Sequence, residues 1–193
     1  MGRSNRTRTP AKVHFRLTGG ASKLHSCEGR RKEIIVGKSG FSIARKDAAL
    51  EALVMASDKR TLGIWAKACA ERVLHYFETA YPNDMRPRHA LDTLQAWIES
   101  GVFKMAIIRK ASLDSHAAAR GTQTDEAAWS AARAAGQAVA TAHVARHSLG
   151  AANYALQAIY RATESTAAEA AVAVERAWQY QHLAGLGTEQ GDG

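Results

Sequence analysis

A chain of 193 residues with a formal net charge of +8 is long enough for one well-buried domain and too short for two comfortable ones. The charge is uneven: residues 1–46 hold 12 of the 26 Lys and Arg residues and only Glu28 and Glu33 among the acids, so this arm carries +10 and the remainder −2. Two cysteines without repeated pair spacing, Cys27 and Cys69, exclude a disulfide frame and lead us to expect a reducing, cytoplasmic setting, and no early apolar run suits a secretory signal.

In chain order, the expected organisation is a basic arm over residues 1–44, an α-helical domain over 45–185 and a flexible tail over 186–193. Within the arm, Glu33-Ile34-Ile35-Val36 and Phe41-Ser42-Ile43 flank Gly37-Lys38-Ser39-Gly40 and suggest a small hairpin. Gly37-Lys38-Ser39 does not complete a phosphate loop, because Lys32 stands where the pattern needs its first glycine. The positive charge of residues 1–46 would attract nucleic acid without reading its sequence, since no recognition motif accompanies it.

A short helix from Arg45 to Ser57 is followed by a strong one over Lys59–Ala80, where Leu62, Trp65, Cys69, Val73, Tyr76 and Phe77 recur at helical spacing. Tyr81-Pro82 ends it, and Asp84 with Pro87 opens a third helix that Gly101 closes. A fourth, from about Phe103 to Arg120, sets Met105, Ile108, Ser112 and His116 on one face with Arg109 and Arg120 on its flank. The Ala-rich stretch Asp125–Leu149 reads as one central helix, with Thr124 or Asp125 as its cap and Gly150 just past its end. Two further helices, Gly150–Thr163 and Thr166 to about Leu183, complete the chain, the last burying Ala170, Ala171, Val174, Trp178 and His182 while Glu169, Glu175 and Arg176 stay solvated. Short connections imply antiparallel neighbours, so the expected fold is mainly α: an Ala-rich bundle or array of about six to seven helices with a small N-terminal extended or hairpin segment. No segment suits a membrane span, because Arg133, Gln137 and His143 interrupt the most apolar stretch.

The central helix carries a smooth face of Ala131, Ala135, Ala138 and Ala142 and a second stripe that includes Trp129, Arg133, Gln137, His143 and His147. On one helix, His143 and His147 at i, i+4 could serve as two metal ligands with His116 as a third, but the Glu of H-E-x-x-H is missing, and hydrogen bonding between helices is the favoured role. Arg120, Arg133 and Gln137 form either an ion-pair network answered by Glu71, Glu78 or Asp84, or part of a pocket that holds an anion. The candidate pocket is therefore His116, Arg120, Arg133, Gln137, His143 and His147, and a candidate binding loop is Tyr81, Asp84, Arg86 and Arg88. Arg86 and Arg88 are expected to pair with Asp84 and Glu78, and Cys69, one turn from Trp65 and Val73, reads as an inert core thiol. There is no serine nucleophile elbow or paired acid motif, which leaves catalysis only to a site assembled across helices, and no cofactor is expected.

From Asp58 to Thr163 the chain resembles a family of bacterial and archaeal helical proteins described as immunity proteins of polymorphic toxin systems. The residues that carry the likeness include Trp65-Ala66, Cys69-Ala70-Glu71-Arg72-Val73-Leu74, Tyr81-Pro82, Arg86-Pro87-Arg88, Trp97, His116-Ala117-Ala118-Ala119-Arg120, the run Ala131–His143, His147 and Tyr154-Ala155. The resemblance implies a helical protein that occludes a toxin partner by binding it. Its rivals are a small enzyme or ligand-binding protein using the His and Arg pocket, and a nucleic-acid accessory protein acting through the arm. Oligomeric state is open.

Overall fold

The computed structural model describes residues 47–122 and 124–188. The basic arm, with the hairpin expected within it, lies outside these residues. Among them there are seven helices and no strand: α1 (Ala48–Ala56), α2 (Lys59–Ala80), α3 (Arg86–Ser100), α4 (Met105–Arg120), α5 (Glu126–Ala140), α6 (His147–Ala162) and α7 (Ala168–Thr188). None is long and apolar enough to cross a membrane.

Aspartates begin three of the helices. Asp47 accepts from Leu50 N, Asp58 from Arg60 N and Thr61 N, and Asp125 from Ala128 N, each satisfying amides that a helix start leaves free. Gly101 closes α3 at φ 68°, a left-handed conformation that costs glycine little.

The helices pack in two layers, α4–α5–α6 over α3–α2–α7, with α5 at the centre against α2, α3, α4 and α6, while α1 rests on α7. α5 and α6 run antiparallel, as the pairs Arg133–Tyr154 and Ser130–Gln157 show. α5 can sit at the hub because Ala131, Ala132, Ala134, Ala135 and Ala138 are fully buried and none keeps a neighbouring backbone at a distance. Beneath it, α2 supplies the large core residues Leu62, Trp65, Val73, Leu74 and Phe77, with Cys69 a free, fully buried thiol. Burial first, and the charge of Glu175 second, push that thiol's pKa up, so it stays protonated.

Two expectations are corrected. The stretch Asp125–Leu149 is not one helix: α5 stops at Ala140 and α6 begins at His147. The end of α5 tightens into i→i+3 bonds from Thr141 N to Ala138 O and from Ala142 N to Val139 O, and the Thr141 hydroxyl caps the Gln137 carbonyl at 3.3 Å. Gly150 therefore lies inside α6, where its role is close packing: a Cβ there would stand 2.8 Å from Gln137 Oε1.

The second correction concerns α7, whose buried positions are Ala168, Val172, Glu175, Gln179 and Leu183, while Val174 is 70% exposed. Polar side chains occupy that face because each meets a partner. Glu175 accepts two hydrogen bonds from Arg72 Nε at 3.0 and 2.9 Å, and Gln179 Nε2 donates to Ala152 O at 3.1 Å. The Trp65 indole donates to Gln179 O at 2.8 Å and fastens α7 to α2. At its far end α7 continues through Leu186, which packs on the core.

Candidate functional site

The solvent side of α5 is the floor of a cleft between α4 and α6. Ser112 Oγ donates to Gly136 O at 2.9 Å and Ser115 Oγ to Ala132 O at 2.7 Å, which holds α4 close against α5. Gly136 makes room for a ring: a Cβ at this position would meet His116 Cε1 at 2.6 Å. One residue on, the Gln137 side chain crosses to α6, where its Oε1 lies 2.7 Å from His147 Nδ1.

The resulting cleft has a volume of about 350 Å³. Met105, Ile108, Arg109, Ser112, Leu113 and His116 of α4 form one wall; Gln137 and Ala140 of α5, His143 of the connection and His147 of α6 complete it. His143 is exposed, with its ring stacked 6.3 Å from that of Phe103. Thus His116, Gln137, His143 and His147 converge on one cleft, but His143 and His147 do so from a loop and a helix start, since the expected helix is broken between them. Among the described residues no three His, Cys, Asp or Glu side chains gather as a metal-binding group.

Burial, followed by the positive charges of Arg133 and Arg120 and the neighbouring His147, holds the His116 pKa down at about 4. Burial and His143 lower that of His147 as well. Both rings are therefore neutral near pH 7. Because the unfolded chain binds a proton at His116 near pH 6.5 and the folded chain does not until about pH 4, stability falls as pH drops through this window. Solvent reaches part of the ring and screens the effect, so we expect urea unfolding to show a loss of about 1 kcal/mol between pH 7 and pH 5. His116→Gln should remove most of that loss; an equal pH dependence in the variant would assign it to other groups.

Arg133 and Arg120 do not line this cleft. Arg133 lies farther along the floor, its guanidinium 5.4 Å from the Trp129 ring and 5.1 Å from the Tyr154 ring, with Nη2 donating to Tyr154 Oη at 3.0 Å. Its Nε is buried without a hydrogen-bond partner, as is His116 Nδ1. Arg120 is exposed at the end of α4. The carboxylates expected to answer these arginines are engaged elsewhere: Glu71 with Lys67, Glu78 with Arg88, and Asp84 with Arg86. Among the described residues no carboxylate pairs with Arg109, Arg120, Arg133 or Arg146.

In the candidate loop, Tyr81 stacks on Phe77 and its hydroxyl donates to Thr122 O at 2.8 Å, tying α2 to the end of α4. Arg86 Nε donates to Asp84 Oδ1 at 2.8 Å, and this bond is the main reason the Asp84 pKa is lowered. Arg88 Nε donates to Glu78 Oε1 at 2.8 Å. Asp84, Met85 and Arg86 border a second hollow of about 500 Å³ on the opposite flank of α4, shared with Ile107, Lys110 and Asp114.

Helical periodicity does not single out the exposed apolar side chains around α4. Among the described residues, Met85, Val102, Phe103, Met105, Ile107, Leu113 and Val144 are seven of the ten large hydrophobics left exposed. The available signal is that Met105, Ile107, Ile108 and Leu113 encircle α4 where one stripe would suffice to bury it.

The geometry defines a class: an all-α protein whose central cleft and flanking apolar surface open to solvent around one helix. Residues 52–186 match the family described as "Imm-5 like putative immunity protein", and the chain belongs to that family. No curated protein and no solved structure matches the chain.

Proposed function

We propose that this protein neutralises a toxin by binding it, without a catalytic step, through the face formed by α4, the α3–α4 loop and the α5–α6 connection. The carrying observation is the concentration of six exposed large hydrophobic side chains, Val102, Phe103, Met105, Ile107, Leu113 and Val144, on these elements in a member of an immunity family. Short connections and a closely packed hub give such a face a fixed shape, which limits the ordering cost of association. Asp84 and Arg86 extend the face at the second hollow. A second reading, a small-ligand or catalytic site, is favoured by the convergence of His116, Gln137, His143 and His147 on the 350 Å³ cleft.

Native purification from the host followed by a high-salt wash and native mass spectrometry distinguishes them. The expected result is a stoichiometric protein companion that arrests growth when expressed alone and is harmless when co-expressed with this chain. A protein that emerges alone, or a companion without toxicity, overturns the immunity reading; an added small mass favours the ligand site.

A further inference from the structure

We infer that the partner bound by this face presents an acidic segment carrying one apolar anchor, and that the anchor enters the cleft between α4 and α6. Only the partner's identity as a toxin rests on the proposed function; the chemistry rests on the face itself. The described domain has many carboxylates, yet none pairs with Arg109 beside the cleft, Arg146 on the α5–α6 connection, or Arg120 and Arg133 farther along the groove. The acids that do lie nearby are committed: Asp114 to Lys110 at 2.6 Å and Glu126 to Arg161 at 3.5 Å. A partner with carboxylates opposite the four arginines supplies what the fold leaves out, and such complementarity fixes register and speeds encounter.

The cleft supplies the apolar part. Met105, Ile108, Leu113 and Ala140 line it, so an aromatic or leucine-like side chain entering it exchanges water for hydrocarbon, the usual form of an interface anchor ringed by charge. Nucleic acid suits this site less well. Tyr154 meets Trp129 edge-on, both Arg133 and Arg161 lie over the Trp129 ring, and no Trp or Tyr lines the cleft to stack on a base.

The test uses the full chain and a photo-crosslinking peptide of about ten Asp and Glu residues around one central benzoylphenylalanine, at about 0.15 M salt, where the Debye length is about 8 Å. We expect crosslinks, mapped by mass spectrometry, at Met105 or Leu113. Arg109→Glu combined with Arg146→Glu, and separately Leu113→Asp, should each reduce the yield about tenfold, while Lys59→Glu on the exposed start of α2 leaves it unchanged. All these side chains are exposed, so unchanged melting curves will show that the variants fold. Crosslinks confined to residues 1–46, a yield insensitive to the α4 substitutions, or complete displacement by a single-stranded oligonucleotide would each overturn the inference. Crosslinking at Leu113 in a protein that protects against no toxin would uphold the inference and remove the immunity reading; a neutralised toxin indifferent to the α4 substitutions would do the reverse.

Discussion

Trp65→Ala should lower the unfolding free energy by about 4 kcal/mol, the range found when a fully buried large aromatic is truncated. Trp65 is inaccessible to solvent in the middle of α2, and its indole is the donor that fastens α7 at Gln179 O. Trp65→Phe separates the two contributions. It keeps most of the ring but removes the indole bond to a carbonyl that retains its own partner within α7, which should cost about 1 kcal/mol. Urea unfolding monitored by circular dichroism gives both values. Equal losses in the two variants would mean that the bond to α7, and not core volume, sets the value of this residue. Against a typical domain stability of about 5 to 15 kcal/mol, the alanine variant should be close to unfolding at growth temperature.

Arg72→Ala is the second large effect, expected at about 3 kcal/mol. Glu175 is only 3% exposed, and removing Arg72 leaves its carboxylate without a countercharge in the interior. The side chain of Arg72 is 42% exposed and water can reach the vacated position, which keeps the expected loss at the lower end for a broken buried pair. Arg72 also lies 4.0 Å over the Trp178 ring, and the substitution removes this cation–π attraction as well. Adding Glu175→Gln to Arg72→Ala should restore more than half of the stability, since a neutral amide removes the stranded charge. If the double variant is no more stable than Arg72→Ala alone, the loss comes from packing on Trp178, and the ion-pair account is wrong.

Local chemistry made much of the fold legible. The bounds of α2 follow from Asp58 before it and Tyr81-Pro82 after it, and α3 ends where Gly101 permits a left-handed turn. The pairings of Arg86 with Asp84 and Arg88 with Glu78 were likewise readable, because each acid lies close in sequence or one antiparallel helix away.

The break between α5 and α6 was not readable, because alanine propensity and the absence of Pro or Gly in Thr141–Arg146 both favour continuation. What stops α5 is the return of α6 along it, with Gln137 laid against Gly150 and Tyr154 meeting Arg133. The buried face of α7 was misread for a related reason. Amphipathic patterning assigns Glu175 to solvent unless its partner, Arg72, is known to lie opposite. For the site, His116, Gln137, His143 and His147 can be named from the sequence, but their meeting depends on Gly136 and Gly150 letting side chains from adjacent helices pass close to a backbone.

The hub position of α5 divides labour within the chain. Adding a methyl group to its buried alanines would press on helices in both layers, so this element can accept little change without the whole packing yielding. Among the described helices, α4 packs chiefly on α3 and α5, and its outward residues touch solvent. Substitutions on the outer surface of α4 can therefore accumulate while the interior that folds it stays the same. The proposed binding surface and the folding core are separate sets of residues, and one can be altered while the other is kept.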